Sequence, residues 1–232
     1  MRHAAIALLL LAGQQAAAPP AFDVTSIKAN KSGTNQGDQI VSPEEYSQTN
    51  RTLRFFIQQA FGGRRDDEIV GGPDWLNTDR WDIRGRANTP GPNMARLRAL
   101  LEDRFKLVTH LETQTRPVYE LVVARADGKL GPQMRPSPEP MRFRPGLTSF
   151  IGTGVRMQVL ASMLAGPAQR PVIDRTNLSG GYDVDLQWSA DSTSDTPSIF
   201  TAVQEQLGLK LQPAKAGVDV IVIDHVARPT PD

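Results

Sequence analysis

VRMQVLASMLAG (Val155–Gly166), then RPVID (Arg170–Asp174) and YDVDLQW (Tyr182–Trp188), reads as a helix-sized run followed by two strand-sized runs. Met157, Leu160, Ala161 and Leu164 recur at helical spacing and make one apolar face. Thr153 stands where a cap is expected, and Gly166-Pro167 stops the run. Tyr182, Val184, Leu186 and Trp188 alternate with Asp183, Asp185 and Gln187, the period of a strand with one solvated face. Each element has a single face to bury, so the stretch predicts a helix lying on a sheet.

The same order recurs outward along the chain. TLRFFIQQAFG (Thr52–Gly62) precedes EIVGG and RWDIRGRA; MARLRALLEDRF (Met94–Phe105) precedes KLVTHLE and PVYELVVA; SIFTAVQEQLG (Ser198–Gly208) precedes LKLQP and VDVIVIDHV. The stripes are Leu53, Phe56, Ile57, Ala60 and Phe61; then Met94, Leu97, Leu100, Leu101 and Phe105; then Ile199, Phe200, Val203 and Leu207. Asn50, Asn93 and Thr196 are the expected caps, and Gly62-Gly63 and Gly208 the expected stops. FDVTSI (Phe22–Ile27) predicts an early strand in the first half. The expectation is an α+β fold: two similar lobes, each of two helix–strand–strand units on a mostly antiparallel or mixed sheet, related by internal duplication.

The lobes are expected at residues 19–125 and 153–228, with a tail at 229–232. Between the lobes, residues 126–152 hold five prolines from Pro132 to Pro145 and read as a linker, with one extended edge piece near Met141–Leu147. NKSGTNQGDQ (Asn30–Gln39) and SADSTSDT (Ser189–Thr196) read as polar loops.

Residues 1–18 read as an export signal. Met1-Arg2-His3 supplies positive charge, AAIALLLLAG supplies an apolar run, and Ala16-Ala17-Ala18 offers small residues for cleavage. The apolar run falls well short of the roughly 20 residues that span a bilayer. A secreted or periplasmic product with no membrane span after cleavage is the expectation. With 39% hydrophobic and 22% charged residues, the remainder has the composition of a folded chain. A net charge of +1, with the arginines between Asn50 and Arg125 interleaved with acids, argues against a nucleic-acid partner. With zero cysteines, thiol catalysis, thiolate metal sites and redox motifs are excluded.

Two resemblances attach to these segments. The helix MQVLASMLAG, then RPVIDRTNLSGGYDVDL, then IFTAVQEQLGLKL and its closing hairpin resemble the short N-terminal domain of secretins and TonB-dependent receptors. That resemblance implies a small α+β envelope module working through protein–protein contact. FDVTSIKAN, VGGPDWLNTDRWDI, LLEDRFKLVTHLET and SIFTAVQEQLGLKLQPAK with VIVIDHV are together similar to a large uncharacterised family of exported proteins, expanded in soil-dwelling acidobacteria. This second resemblance implies export, and it carries over neither activity nor site residues. Some of those relatives are joined to a membrane metallopeptidase of the antibiotic-sensor type. Because the sequence has no HExxH, that role is not implied here.

Candidate chemistry is sparse. His110 in KLVTHLE and His225 in VIVIDHV could hold a metal with Glu112 and Asp224, but neither has ligand spacing, and no metal or other cofactor is expected. Asp224 cannot readily orient His225 toward a serine such as Ser149 or Ser179, because strand neighbours face opposite ways. Asp183 and Asp185 share a strand face about 7 Å apart, a separation compatible with paired-carboxylate hydrolysis. Their plainer reading is an ordinary solvated acidic face. The Gly71–Leu76 loop, with Gly72, Asp74 and Trp75, is the candidate ligand-binding segment, while Trp81 alternates with Ile83 and reads as core. The expectation is a non-catalytic exported module that binds an envelope protein or polymer, using an edge strand at Val218–Val226 or near Met141. The alternative is a carboxylate- or metal-dependent hydrolase acting on an envelope or extracellular polymer.

Overall fold

The computed structural model describes residues 20–34, 36–189 and 196–229. The expected signal segment, most of the Ser189–Thr196 loop and the end of the tail lie outside the described residues. The fold is α+β, with five α-helices and three mostly antiparallel sheets among the described residues. It divides into two compact units, one built from the chain up to Glu112 together with Val220 onward, the other from Thr113–Asp219.

The first unit contains β1 (Val24–Ala29), β2 (Gln39–Val41), β3 (Glu45–Thr52), α1 (Leu53–Ala60), β4 (Ile69–Gly71), α2 (Trp75–Thr78), β5 (Arg80–Arg86) and α3 (Asn93–Arg104). It also holds the start of β6 (Val108–Val123) and the end of β12 (Leu209–His225). Its antiparallel sheet runs β1-β5-β3-β2, with Ile27 opposite Ile83 and Tyr46 opposite Gly85. Leu53, Phe56 and Ile57 of α1 and Leu97 and Leu101 of α3 form the core with Ile83, Trp81 and Phe105. Ile221 and Ile223 join that core from β12, where β4 pairs with them in parallel.

The second unit contains the rest of β6, then β7 (Met134–Ser137), β8 (Arg142–Pro145), β9 (Ser149–Val155), α4 (Met157–Leu164), β10 (Val172–Asp174), β11 (Gly181–Gln187), α5 (Ile199–Leu207) and the start of β12. Its antiparallel sheet runs β7-β11-β9-β8. Strands β7, β11, β9 and β8 therefore stand in the order that β1, β5, β3 and β2 hold in the first unit. β10 pairs in parallel with the end of β6, as β4 does with the end of β12. Met157, Leu160, Ala161 and Leu164 of α4 are all buried, as are Tyr182, Val184, Leu186 and Trp188.

Several expectations are corrected. Residues 126–152 carry β7, β8 and the start of β9. Their prolines fit because Pro136 and Pro145 sit in β7 and β8, the two edge strands, where a missing N–H breaks no ladder. The runs on either side of Pro117 and Pro213 are not hairpins; each is one strand, β6 of 16 residues and β12 of 17. Both prolines are exposed and lie outside the stretches that pair with β10 and β4, so each strand passes through them unbroken.

The helix starts also shift. Thr52 and Ser198 cap α1 and α5 through their hydroxyls, while Pro92 and Arg156 precede α3 and α4 without side-chain capping. Asn50 lies in β3 with a left-handed φ of 54°, and its Nδ2 donates to the Thr34 and Gln36 carbonyls at 2.7 Å. Asn93 Nδ2 instead donates to the Ser42 carbonyl. Gly208 takes the left-handed turn expected at the end of α5. Met94 and Phe200 face solvent, and Arg96 and Ala202 occupy the buried positions instead.

Candidate functional site

The Gly71–Leu76 loop turns sharply because Gly71 and Gly72 both adopt φ of 81°, and a Cβ on Gly72 would collide with Leu76. Gly72 and Asp74 are exposed. Trp75 is half-buried, and the Arg228 guanidinium stacks over its ring at 4.8 Å while donating to Asp79 Oδ2 at 2.8 Å. Trp81 packs edge-on against Phe105 at 5.2 Å and is buried, so the loop offers one aromatic surface, and a cation already covers part of it.

Beside this loop is a cavity of about 600 Å3, lined by Asn30, Lys31, Asn50, Arg80, Trp81 and Arg228 among others. Arg80 Nη1 donates to the Asn50 carbonyl at 2.9 Å, and Asn30 Nδ2 donates to Asp82 at 2.8 Å. Sequence reasoning missed this cavity. Its walls come from β1, β3, β5 and the C-terminal segment, which no local pattern joins.

In the second unit, Asp183 and Asp185 line one cavity of about 310 Å3 with Arg135, Ile151 and Thr153. The shared strand face therefore does bring the two acids to one place. The Ser137 hydroxyl, Arg135 at 3.1 Å and the Gly154 amide hold the Asp183 carboxyl below the usual carboxylate range. A carboxyl stabilised in its charged form is a poor general acid, which needs a raised pKa.

The histidines separate. His110 Nδ1 lies 2.9 Å from both oxygens of Asp224, and its Nε2 lies 3.8 Å from Glu112. Asp224 raises the His110 pKa above its ordinary value, chiefly through that hydrogen bond. Pairing of β6 with β12 creates this contact between residues 114 positions apart, so no spacing in the sequence could signal it. His225 follows Asp224 on the strand and projects to the opposite face. Ser149 and Ser179 belong to the other unit. Among the described residues no group of three or more His, Cys, Asp and Glu side chains is placed to hold a metal ion.

The two expected edges also separate. β12 lies between β6 and β4, so Val218–Val226 is not an edge. β8 is one, and all four of its residues are exposed. Phe143 stacks on buried Phe150 at 5.7 Å yet remains 42% exposed, and Met141 and Ile151 are 47% and 49% exposed. Register places Arg142 opposite Thr153 and Arg144 opposite Ile151. Directly opposed residues share a face, so the two arginines lie on the same side of the sheet as Thr153 and Ile151, and Phe143 points to the other.

A protein family described only as being of unknown function, DUF3738, matches residues 54–226. The chain belongs to this family. No curated protein matches the chain, and no solved structure does. The DUF3738 match runs from within α1 to just beyond β12, and so includes β8, the Asp183–Asp185 cavity and the His110–Asp224 pair. Strands β1, β2 and β3 precede it, as do Asn30, Lys31 and Asn50 of the cavity beside the Gly71–Leu76 loop. Among the described residues, no helix in this DUF3738 member is long and apolar enough to cross a membrane.

Proposed function

We propose that the chain is an exported, non-catalytic binding module of the cell envelope, and that it takes a partner polypeptide by strand addition along β8. One observation carries this reading: β8 is an edge strand exposed along its whole length, with an aromatic ring among its residues. An edge strand presents unpaired backbone groups, and a neighbouring apolar side chain gives an added strand something to bury. Export rests on the charged, apolar and small-residue order of the first 18 residues, and on the resemblance to exported soil-associated proteins. The resemblance of the second half to secretin and TonB-receptor N-terminal domains supports a contact role rather than catalysis. The matching strand orders of the two sheets support internal duplication of the scaffold.

The test is site-specific. Mature protein carrying a photo-crosslinking residue at position 143 should form adducts with envelope polypeptides, and the same residue at exposed Val24 on β1 should not. Equal capture at the two positions, or none at 143, would overturn the reading. A second reading, a carboxylate hydrolase of envelope polymers, is favoured only by the placement of Asp183 and Asp185 in one cavity. Turnover of a peptidoglycan or polysaccharide panel that disappears in Asp183→Asn would establish it instead.

A further inference from the structure

We infer that β8 selects an acidic partner strand, one in which carboxylate residues alternate with apolar ones. This inference rests on the strand-addition reading and goes further by naming the partner's side-chain chemistry. Arg142 and Arg144 lie two residues apart on one face of β8, so they stand beside alternate residues of any strand laid along it. Both are exposed, and among the described residues neither has an acidic partner. The nearby Arg135 differs, since it is already paired with Asp183. Phe143, with Met141 two residues before it, offers apolar contact on the opposite face. A complementary strand therefore carries Asp or Glu next to Arg142 and Arg144, and an apolar residue between them.

A second copy of this chain is a poor occupant of the same edge. Antiparallel pairing of two β8 strands about Phe143 sets Arg142 of each against Arg144 of the other, and like charges directly opposite are destabilising. Pairing about Arg144 sets that residue against itself. The arginines thus close the edge to self-association while leaving it open to an acidic strand, which is how charged residues on edge strands commonly act.

Three fluorescent ten-residue peptides test the inference against full mature protein, alternating Val with Glu, Gln or Lys. The Glu–Val peptide should bind about tenfold or more tightly than the Lys–Val peptide, the sum of two cross-strand charge pairs. Amides of residues 142–144 should be protected from hydrogen exchange only in its presence. R142E/R144E, shown to be folded by its circular dichroism, should reverse the order and prefer Lys–Val. R142Q/R144Q should bind Glu–Val and Lys–Val alike. Equal binding of Glu–Val and Lys–Val to the unaltered protein, with β8 protected by both, would overturn acidic selection and leave strand addition standing. If no peptide protects β8, strand addition and acidic selection both fall.

Discussion

His110 is exposed, yet the fold controls its protonation chiefly through one partner. Asp224 accepts at 2.9 Å from its Nδ1 and raises the pKa above the ordinary imidazole value. Because the folded value is the higher one, the pairing stabilises fully below the unfolded pKa of about 6.5. That contribution is lost as pH rises through the raised folded value. An NMR titration of the His110 ring should give a midpoint above 6.5 that falls in Asp224→Asn. A midpoint that does not move in this variant would rule out the pair in solution. Arg96 makes the same point about single residues. It sits at a helix position that the apolar stripe skips, and it is buried because its guanidinium donates to the Pro43 and Thr89 carbonyls and lies over the Phe22 ring. No one-dimensional pattern marks an arginine for burial; one of the carbonyls that receive it, that of Pro43, comes from a turn 53 residues away.

Elements were the most legible level. Each expected helix exists, because apolar residues three and four apart can be sheltered together only on a helix face. Helix starts were less legible, since several nearby polar side chains compete for each cap and the strand before the helix decides where it begins. Leu207 of α5 is fully buried, and Leu207→Ala should cost about 2–5 kcal/mol in urea unfolding. A change near zero would undo the packing of that helix. The two helix-stop glycines should differ. Gly62→Ala, with open space around the added Cβ, should pay only the left-handed penalty of about 1–2 kcal/mol. Gly208→Ala pays that as well and drives the Cβ into the backbone of Leu130 and Gly131, so its midpoint should fall further. Equal losses would mean that the 130–131 segment moves freely.

For the whole molecule, the expected division at a proline-rich linker gives way to two units that the chain enters and leaves within β6 and β12. The first unit is incomplete without the end of β12, which supplies Ile221 and Ile223 to its core and a partner for β4. A fragment of residues 19–125 should therefore show little cooperative unfolding by circular dichroism, and a sharp transition comparable to that of the full chain would contradict this. The sequence alone determined the helix faces, the strand alternation and the α+β class, because burial of one face is a local periodic property that the chain carries wherever it goes. Only the tertiary structure decided the long strands and the meetings of His110 with Asp224 and of the cavity walls. Those depend on which distant backbones pair and in what register, and hydrogen bonds between main chains carry no signature in side-chain order.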